Sequence, residues 1–235
     1  MGKQGDWYLP EIRKDDGMTT QDYAYRRIFN AIMLGAIPPA TSLTMRGLAA
    51  YLDLSPTPVR EAIRRLSSDQ AVEVLDNRRI RVPQMRIGRF RELIELRIVL
   101  ECHAAVRALP HLADIAIADL AAVDARMDAA LGMQDYDQLT HLNHEFHRRL
   151  YLSNPDQAIM PLIESVWLQL GPFQRQVLKG VQSYYLVDHH KTILSALRDR
   201  DADRLTVAIA DDIRDGIGRS GAEALEGSQD LPPAG

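Results

Sequence analysis

Residues 141–147 read HLNHEFH, so three of the chain's seven histidines and an asparagine fall within seven positions. Imidazole nitrogens and an amide oxygen can hold a divalent cation such as Zn²⁺, Ni²⁺ or Mn²⁺. The same residues can equally be titratable side chains on a wet helix face. Helical geometry separates them. Leu139, Leu142, Phe146 and Leu150 define an apolar face; at about 100° per residue, Asn143 lies roughly 55° and His147 roughly 95° from its centre. His141 and His144 fall roughly 150° away and are expected to face solvent. The inward candidates are therefore Asn143 and His147, an i, i+4 pair stacked one turn apart. Alone, such a pair also fits a packed, hydrogen-bonded histidine. A second candidate is Arg97, set within an otherwise apolar stripe in ELRIVLE. It either forms an ion pair with a neighbouring helix or clamps a carboxylate ligand through its planar fork.

These residues belong to a back half that reads as helical throughout. From Ile87 onward the spacing predicts six helices, near 87–109, 112–131, 135–152, 155–180, 183–199 and 201–218. Pro110, Gly132, Asn154-Pro155, Gly180 and an RDRD turn separate them. The front half differs. In residues 19–40, Tyr25, Ile28, Phe29, Ile32 and Met33 form one helical stripe closed by Gly35 and Pro38-Pro39. A short helix follows in TMRGLAAYL, with Thr44 as N-cap and Leu48 and Leu52 inward. A third occupies SPTPVREAIRRLSS, where Ser55 or Thr57 can cap and Pro56 or Pro58 suits the first helical position. Its apolar stripe is Val59, Ala62, Ile63 and Leu66, which leaves Thr57, Arg60, Glu61 and Arg64 on the opposite face. The period then changes: Val72 and Val74 alternate with Glu73, and Ile80 and Val82 with Arg81, around a basic turn holding Arg78 and Arg79.

The spacing thus predicts a mostly α chain with two domains. An N-terminal winged helix-turn-helix covers 18–86 and a C-terminal all-α six-helix bundle covers 87–219. A flexible arm, 1–17, and a flexible tail, 220–235, flank them. Charge follows the same division: residues 1–86 carry a net +3 and residues 87–235 a net −7. A basic front suits double-stranded DNA, whose phosphates supply most sequence-independent affinity. The single cysteine, Cys102, excludes an intrachain disulfide and a multi-cysteine zinc site. With no signal-like N-terminus and no apolar run of membrane length, the expectation is a cytoplasmic protein with no membrane partner. No G-x-S-x-G nucleophile motif is present.

The stretch LAAYLDLSPTPVREAIRRLSSDQAVEVLDNRRIRV resembles the reader domain of the GntR family of bacterial transcriptional regulators, over roughly residues 20–83. The family's usual run is close to L-A-x-x-L-x-V-S-R-T-P-V-R-E-A-L. The resemblance implies DNA contacts from Arg46, Ser55, Thr57 and Arg60. Chemistry agrees: arginine can bond a guanine edge bidentately, and small hydroxyl residues at a helix start suit phosphate. Pro56 stands where many members carry arginine, and Arg79 where glycine is common. The segments ELRIVLECHAAVRA, NHEFHRRLY and DHHKTILSALRDRDADR resemble the FCD ligand-binding domain of the FadR subfamily. Many such domains hold a divalent metal through an aspartate and a histidine four apart, a histidine opening the next-to-last helix, and a histidine in the last. Carried over, these positions are Asn143, His147, His190 and Asp212, with His189 unmatched. Two of the four depart from the pattern, yet the formal ligand charge stays at −1.

The resemblance implies a homodimeric transcription factor on a pseudo-palindromic operator, more often a repressor. A small organic acid would bind near Arg97 and a divalent metal, Zn²⁺ first, then Ni²⁺ or Mn²⁺. Its rivals are a metal-free regulator binding an acyl or other effector, and a metal-dependent enzyme with a DNA-binding appendage. Against the enzyme, no general base is identifiable beyond the metal ligands.

Overall fold

The computed structural model describes residues 7–75, 79–180 and 189–229. They divide into two compact units: one of residues up to Arg86 with Trp167–Lys179, the other of Ile87–Val166 with Gly180 onward.

In the first unit, α1 (Thr20–Met33), α2 (Met45–Leu52) and α3 (Pro56–Ser68) surround a core of Ile28, Ile32, Leu48, Val59, Ile63 and Leu66. Local chemistry sets where they start. Thr19 accepts the Asp22 N–H at α1, and Thr44 accepts the Gly47 N–H at α2. At α3, Ser55 occupies the N-cap by backbone alone, with Pro56 just inside. The wing is larger than the expected hairpin. Strand β1 (Ser42–Thr44) joins β2 (Glu73–Val74) and β3 (Arg79–Arg81) in an antiparallel sheet ordered β1-β3-β2, with Leu43 and Val74 both opposite Ile80. Three residues with only Leu43 buried are too short a pattern for periodicity to report.

The N-terminal arm differs from its expectation as well. Leu9 is buried, the Tyr8 N–H donates to Ala36 O, and Arg27 donates to Leu9 O at 3.1 Å. Trp7 lies against Tyr51, ring centroids 5.2 Å apart. One buried leucine beside two aromatics is enough to dock this segment.

The second unit is helical: α4 (Ile87–Ala108), α5 (Asp114–Gly132), α6 (Tyr136–Tyr151), the first turns of α7 (Met160–Gly180), α8 (His189–Asp199) and α9 (Ala202–Ile213). Asp135 caps α6 by accepting the Gln138 N–H, and Asp201 caps α9 by accepting the Arg204 N–H. Three expectations are corrected. Helix α7 starts at Met160 rather than 155, because Asn154 Oδ1 accepts the Asp156 N–H and Gln157 donates to Tyr151 O and Ala104 O, holding a turn. The last predicted helix, 201–218, passes through a π turn at Arg214–Gly218. The chain then continues as α10 (Arg219–Gln229), inside the stretch expected to be a flexible tail. Gly221 makes this packing possible, since a Cβ there would stand 2.4 Å from Phe90 Cζ. Arg91 also donates to Glu226 at 2.5 Å. Of the predicted helix 183–199, residues 183–188 lie outside the described residues, and no described helix is long and apolar enough to cross a membrane.

Candidate functional site

Two clusters gather the candidate residues, one in each unit. In the first, α3 buries Pro58, Val59, Ala62, Ile63 and Leu66. It turns Thr57, Arg60 and Arg64 outward, with Ser55 exposed at its N-terminus. Arg46 on α2 and Arg79 on β3 are exposed too; Arg78 lies outside the described residues. Intramolecular partners grade these arginines. Arg64 Nε donates to Glu61 at 3.0 Å, so a phosphate would compete with a carboxylate. Arg81 donates twice to Glu73 Oε2, at 3.0 and 2.6 Å. Arg65 lies 3.6 Å from the Tyr25 ring centroid and 3.4 Å from Asp22, which ties it to α1.

In the second unit, His147 from α6, His190 from α8 and Asp212 from α9 meet in the interior. Their ligand atoms all lie within 4.8 Å of one another. Nε2 of His147 is 3.1 Å from Asp212 Oδ2, though out of hydrogen-bonding alignment, and Nε2 of His190 is 3.9 Å from Oδ1. Phe146 packs edge-on against both imidazoles, with centroids at 5.4 and 4.7 Å. Lys191, next to His190, donates to Asp124 and, at 2.9 Å, to Asp128, anchoring α8 on α5.

Behind His147 runs a buried relay. Tyr151 Oη donates to Glu101 Oε2 at 2.8 Å, and Arg97 Nε donates to Glu101 Oε1 at 2.5 Å. The Tyr151 hydroxyl proton is thus committed, so the 3.0 Å contact between His147 Nδ1 and Tyr151 Oη requires Nδ1–H as donor. Burial and the Glu101 carboxylate push the Tyr151 phenol well above its usual range, which keeps that proton in place. In the neutral imidazole, Nε2 then carries its lone pair toward a carboxylate oxygen. Two acceptors face each other, an arrangement relieved by a cation between them or by a proton on the ring. Burial alone would raise the Asp212 pKa, but His190, His147 and Arg97 overcome it, and the group stays ionised.

Two imidazoles and one carboxylate form a ligand set of charge −1 that suits a borderline divalent ion. A 4.8 Å spread slightly exceeds twice a Zn–N bond, so closing on one ion needs side-chain shifts under about 1 Å. The residues fit the group. Asn143 is half-buried one turn before His147, on the same helix.

His141 is exposed as expected; His144 is not. It is half-buried, and desolvation, then Arg97, His147 and His141, lower its pKa to about 3, which keeps the ring neutral. A residue far from the apolar centre of its own helix can still be covered by neighbouring helices, which wheel angles alone cannot report. Arg97 does pair with a carboxylate, but one on its own helix. Burial would lower its pKa, and Glu101 raises it instead. Glu101 and Tyr151 went unnoticed in the sequence, although each stands at i+4 from a recognised residue, Arg97 and His147. His189 turns to Asp215, 3.0 Å away.

The FCD domain family matches residues 92–215, and the bacterial regulatory proteins of the gntR family match residues 20–82. The chain is 26% identical over 189 residues to the HTH-type transcriptional regulator McbR of Escherichia coli K12, covering 79% of this chain and 86% of that protein. It is 24% identical over 197 residues to the gluconate operon transcriptional repressor of Bacillus licheniformis, 80% and 79% covered. The solved structure of E. coli McbR/YncC superposes with a TM-score of 0.82 at 23% identity, over 88% of this chain and 99% of that one, a likeness of fold. A winged helix-turn-helix joined to a helical domain of this kind is thereby assigned: the chain belongs to the GntR family, as a DNA-binding transcriptional regulator with an FCD domain.

Proposed function

We propose that this regulator represses transcription from a pseudo-palindromic operator as a cytoplasmic homodimer. In this reading its helical unit senses a small organic acid together with a divalent metal held by His147, His190, Asp212 and Asn143. The carrying observation is the buried convergence of two imidazoles and a carboxylate within 4.8 Å. A bound metal would supply Lewis acidity and open positions for a carboxylate. The chain's own part is to orient His147 through Tyr151 and Glu101, keep Asp212 ionised and exclude water with Phe146. Exposed Arg46, Ser55, Thr57, Arg60, Arg64 and Arg79, with Arg78, form the DNA face. The effector acts by binding one arrangement of the reader better than the other. Repression is supported by the Bacillus licheniformis relative, which is named a transcriptional repressor. A role without catalysis is supported by relatives that are named as transcriptional regulators.

One observation favours a second reading. The 3.1 Å approach of His147 to Asp212 suits a protonated imidazole as well, giving a metal-free effector pocket closed by ion pairs. Elemental analysis of untagged protein separates the two, with His147→Ala and His190→Ala as comparisons. The metal reading expects about one equivalent of metal in the parent and near none in the variants; negligible metal in all three sinks it. Fluorescence anisotropy on promoter fragments flanking the gene then tests regulation. Candidate acids that leave affinity unchanged with the metal site filled would remove the effector claim.

A further inference from the structure

Helix α4 and the chain running from the end of α9 into α10 frame a cavity of about 510 Å³, and none of the four candidate metal ligands lines it. Its floor is apolar. Buried Phe90 and Ile94 stand one turn apart on α4, and Gly218 and half-buried Ala222 line the opposite wall. A Cβ on Gly218 would lie 3.7 Å from Ile94 Cγ2, so the two walls meet at that point. The second wall passes through the π turn Arg214–Gly218, and turns of this kind are frequent at functional sites. An apolar cleft of this size with a few charged groups is the usual form of a small-molecule site.

Charges ring the opening, and they differ in how far they are already engaged. Arg91 donates to Glu226 at 2.5 Å. Arg219 donates to one oxygen of Asp215 at 2.7 Å, while His189 lies 3.0 Å from the other. Arg214 is held far more loosely: its one ion pair among the described residues, to Asp211 on its own helix, spans 3.5 Å without a hydrogen bond. Glu95 has neither an ion pair nor a hydrogen bond among the described residues. The groove therefore offers one loosely held cation and one free carboxylate above an apolar floor. A simple anion would satisfy Arg214 but be repelled by Glu95 and Asp211, and a simple cation would meet the reverse. A zwitterion satisfies both.

We infer that this groove binds an α-amino acid with an apolar side chain. Its carboxylate lies on the Arg214 fork, its ammonium on Glu95, and its side chain on Phe90, Ile94 and Ala222. The site goes beyond the metal-and-acid reading above and stands without it. It also adjoins that pocket along the chain, since Asp211 precedes Asp212, and His189, which meets Asp215, precedes His190. Isothermal titration calorimetry of the full-length protein with L-phenylalanine tests it. L-Phenylalanine should bind saturably; phenethylamine, which lacks the carboxylate, and L-serine, which lacks the apolar body, should each bind at least about tenfold more weakly. Arg214→Gln and Glu95→Gln should each weaken L-phenylalanine about tenfold, and both lie on the surface, where the fold tolerates them. Ala222→Leu should abolish binding by filling the groove. Absence of saturable binding overturns the site, and so does binding that survives the three substitutions. Loss with only one of the two charge substitutions overturns the zwitterion. Binding lost with His147→Ala but kept in Arg214→Gln and Glu95→Gln assigns the ligand to the metal pocket and overturns the groove.

Discussion

At the scale of single residues, the pocket's chemistry depends on which atom of each side chain is already committed. Tyr151→Phe removes the acceptor of His147 Nδ1–H and frees the ring to turn. Loss of such an orienting partner costs about 10–100-fold in metal affinity. Competition with a chromophoric chelator measures it, and unchanged affinity would show that the relay does not orient His147. Cys102 gives an independent check on burial. Desolvation, then Glu101, pushes its thiol up to about 11. Below that value the group is protonated, so at pH 8 the reactive thiolate is scarce. Iodoacetamide should label folded protein roughly two orders of magnitude more slowly than urea-unfolded protein. Equal rates would place the thiol in water. The sequence showed the inward pair Asn143 and His147 but misplaced His144, because a helical wheel knows one face and nothing of what stands opposite.

At the scale of elements, helix contacts are set by backbones that approach closely. A Cβ on Gly171 would lie 2.5 Å from Met33 O and 2.6 Å from Ile32 O, so α7 meets the end of α1 with no room for a side chain. Arg175, one turn on, donates to Leu34 O at 3.3 Å and joins the same contact. Gly171→Ala should lower stability by about 1–3 kcal/mol, read from the urea midpoint. Gly132→Ala, whose Cβ would have open space, should be neutral or slightly stabilising. Equal effects would mean that the α1–α7 contact is loose. The caps at Thr44 and Asp201 were within reach of sequence reasoning or close to it, since their chemistry is local. Strand β1 and the π turn were not: one is three residues long, and the other is a widened turn ending at Gly218, where an added Cβ would lie 3.7 Å from Ile94 Cγ2.

At the scale of the whole molecule, function requires a basic surface that meets DNA and an acidic body that does not. Arg60, exposed beside Thr57 on α3, should reach base edges, so Arg60→Ala should cost about 1–3 kcal/mol of operator affinity and relax specificity. Arg65→Ala should leave affinity nearly unchanged, because that guanidinium already lies over Tyr25. Anisotropy titrations at several salt concentrations compare them; equal losses would mean that another face of α3 meets the groove. By itself, the sequence determined the three reader helices, the two wing strands that follow them, which residues of α3 stay outside its core and the division of charge between front and back. All of these follow from local spacing and composition. Only the tertiary structure decided what surrounds His147. Asp212 arrives from α9, Glu101 lies fifty residues before the tyrosine it accepts from, and Arg97 spends its Nε on that same carboxylate. Periodicity reports that a side chain points inward; which atoms it meets there depends on how distant helices pack, and at this site those atoms set the tautomer and the charge.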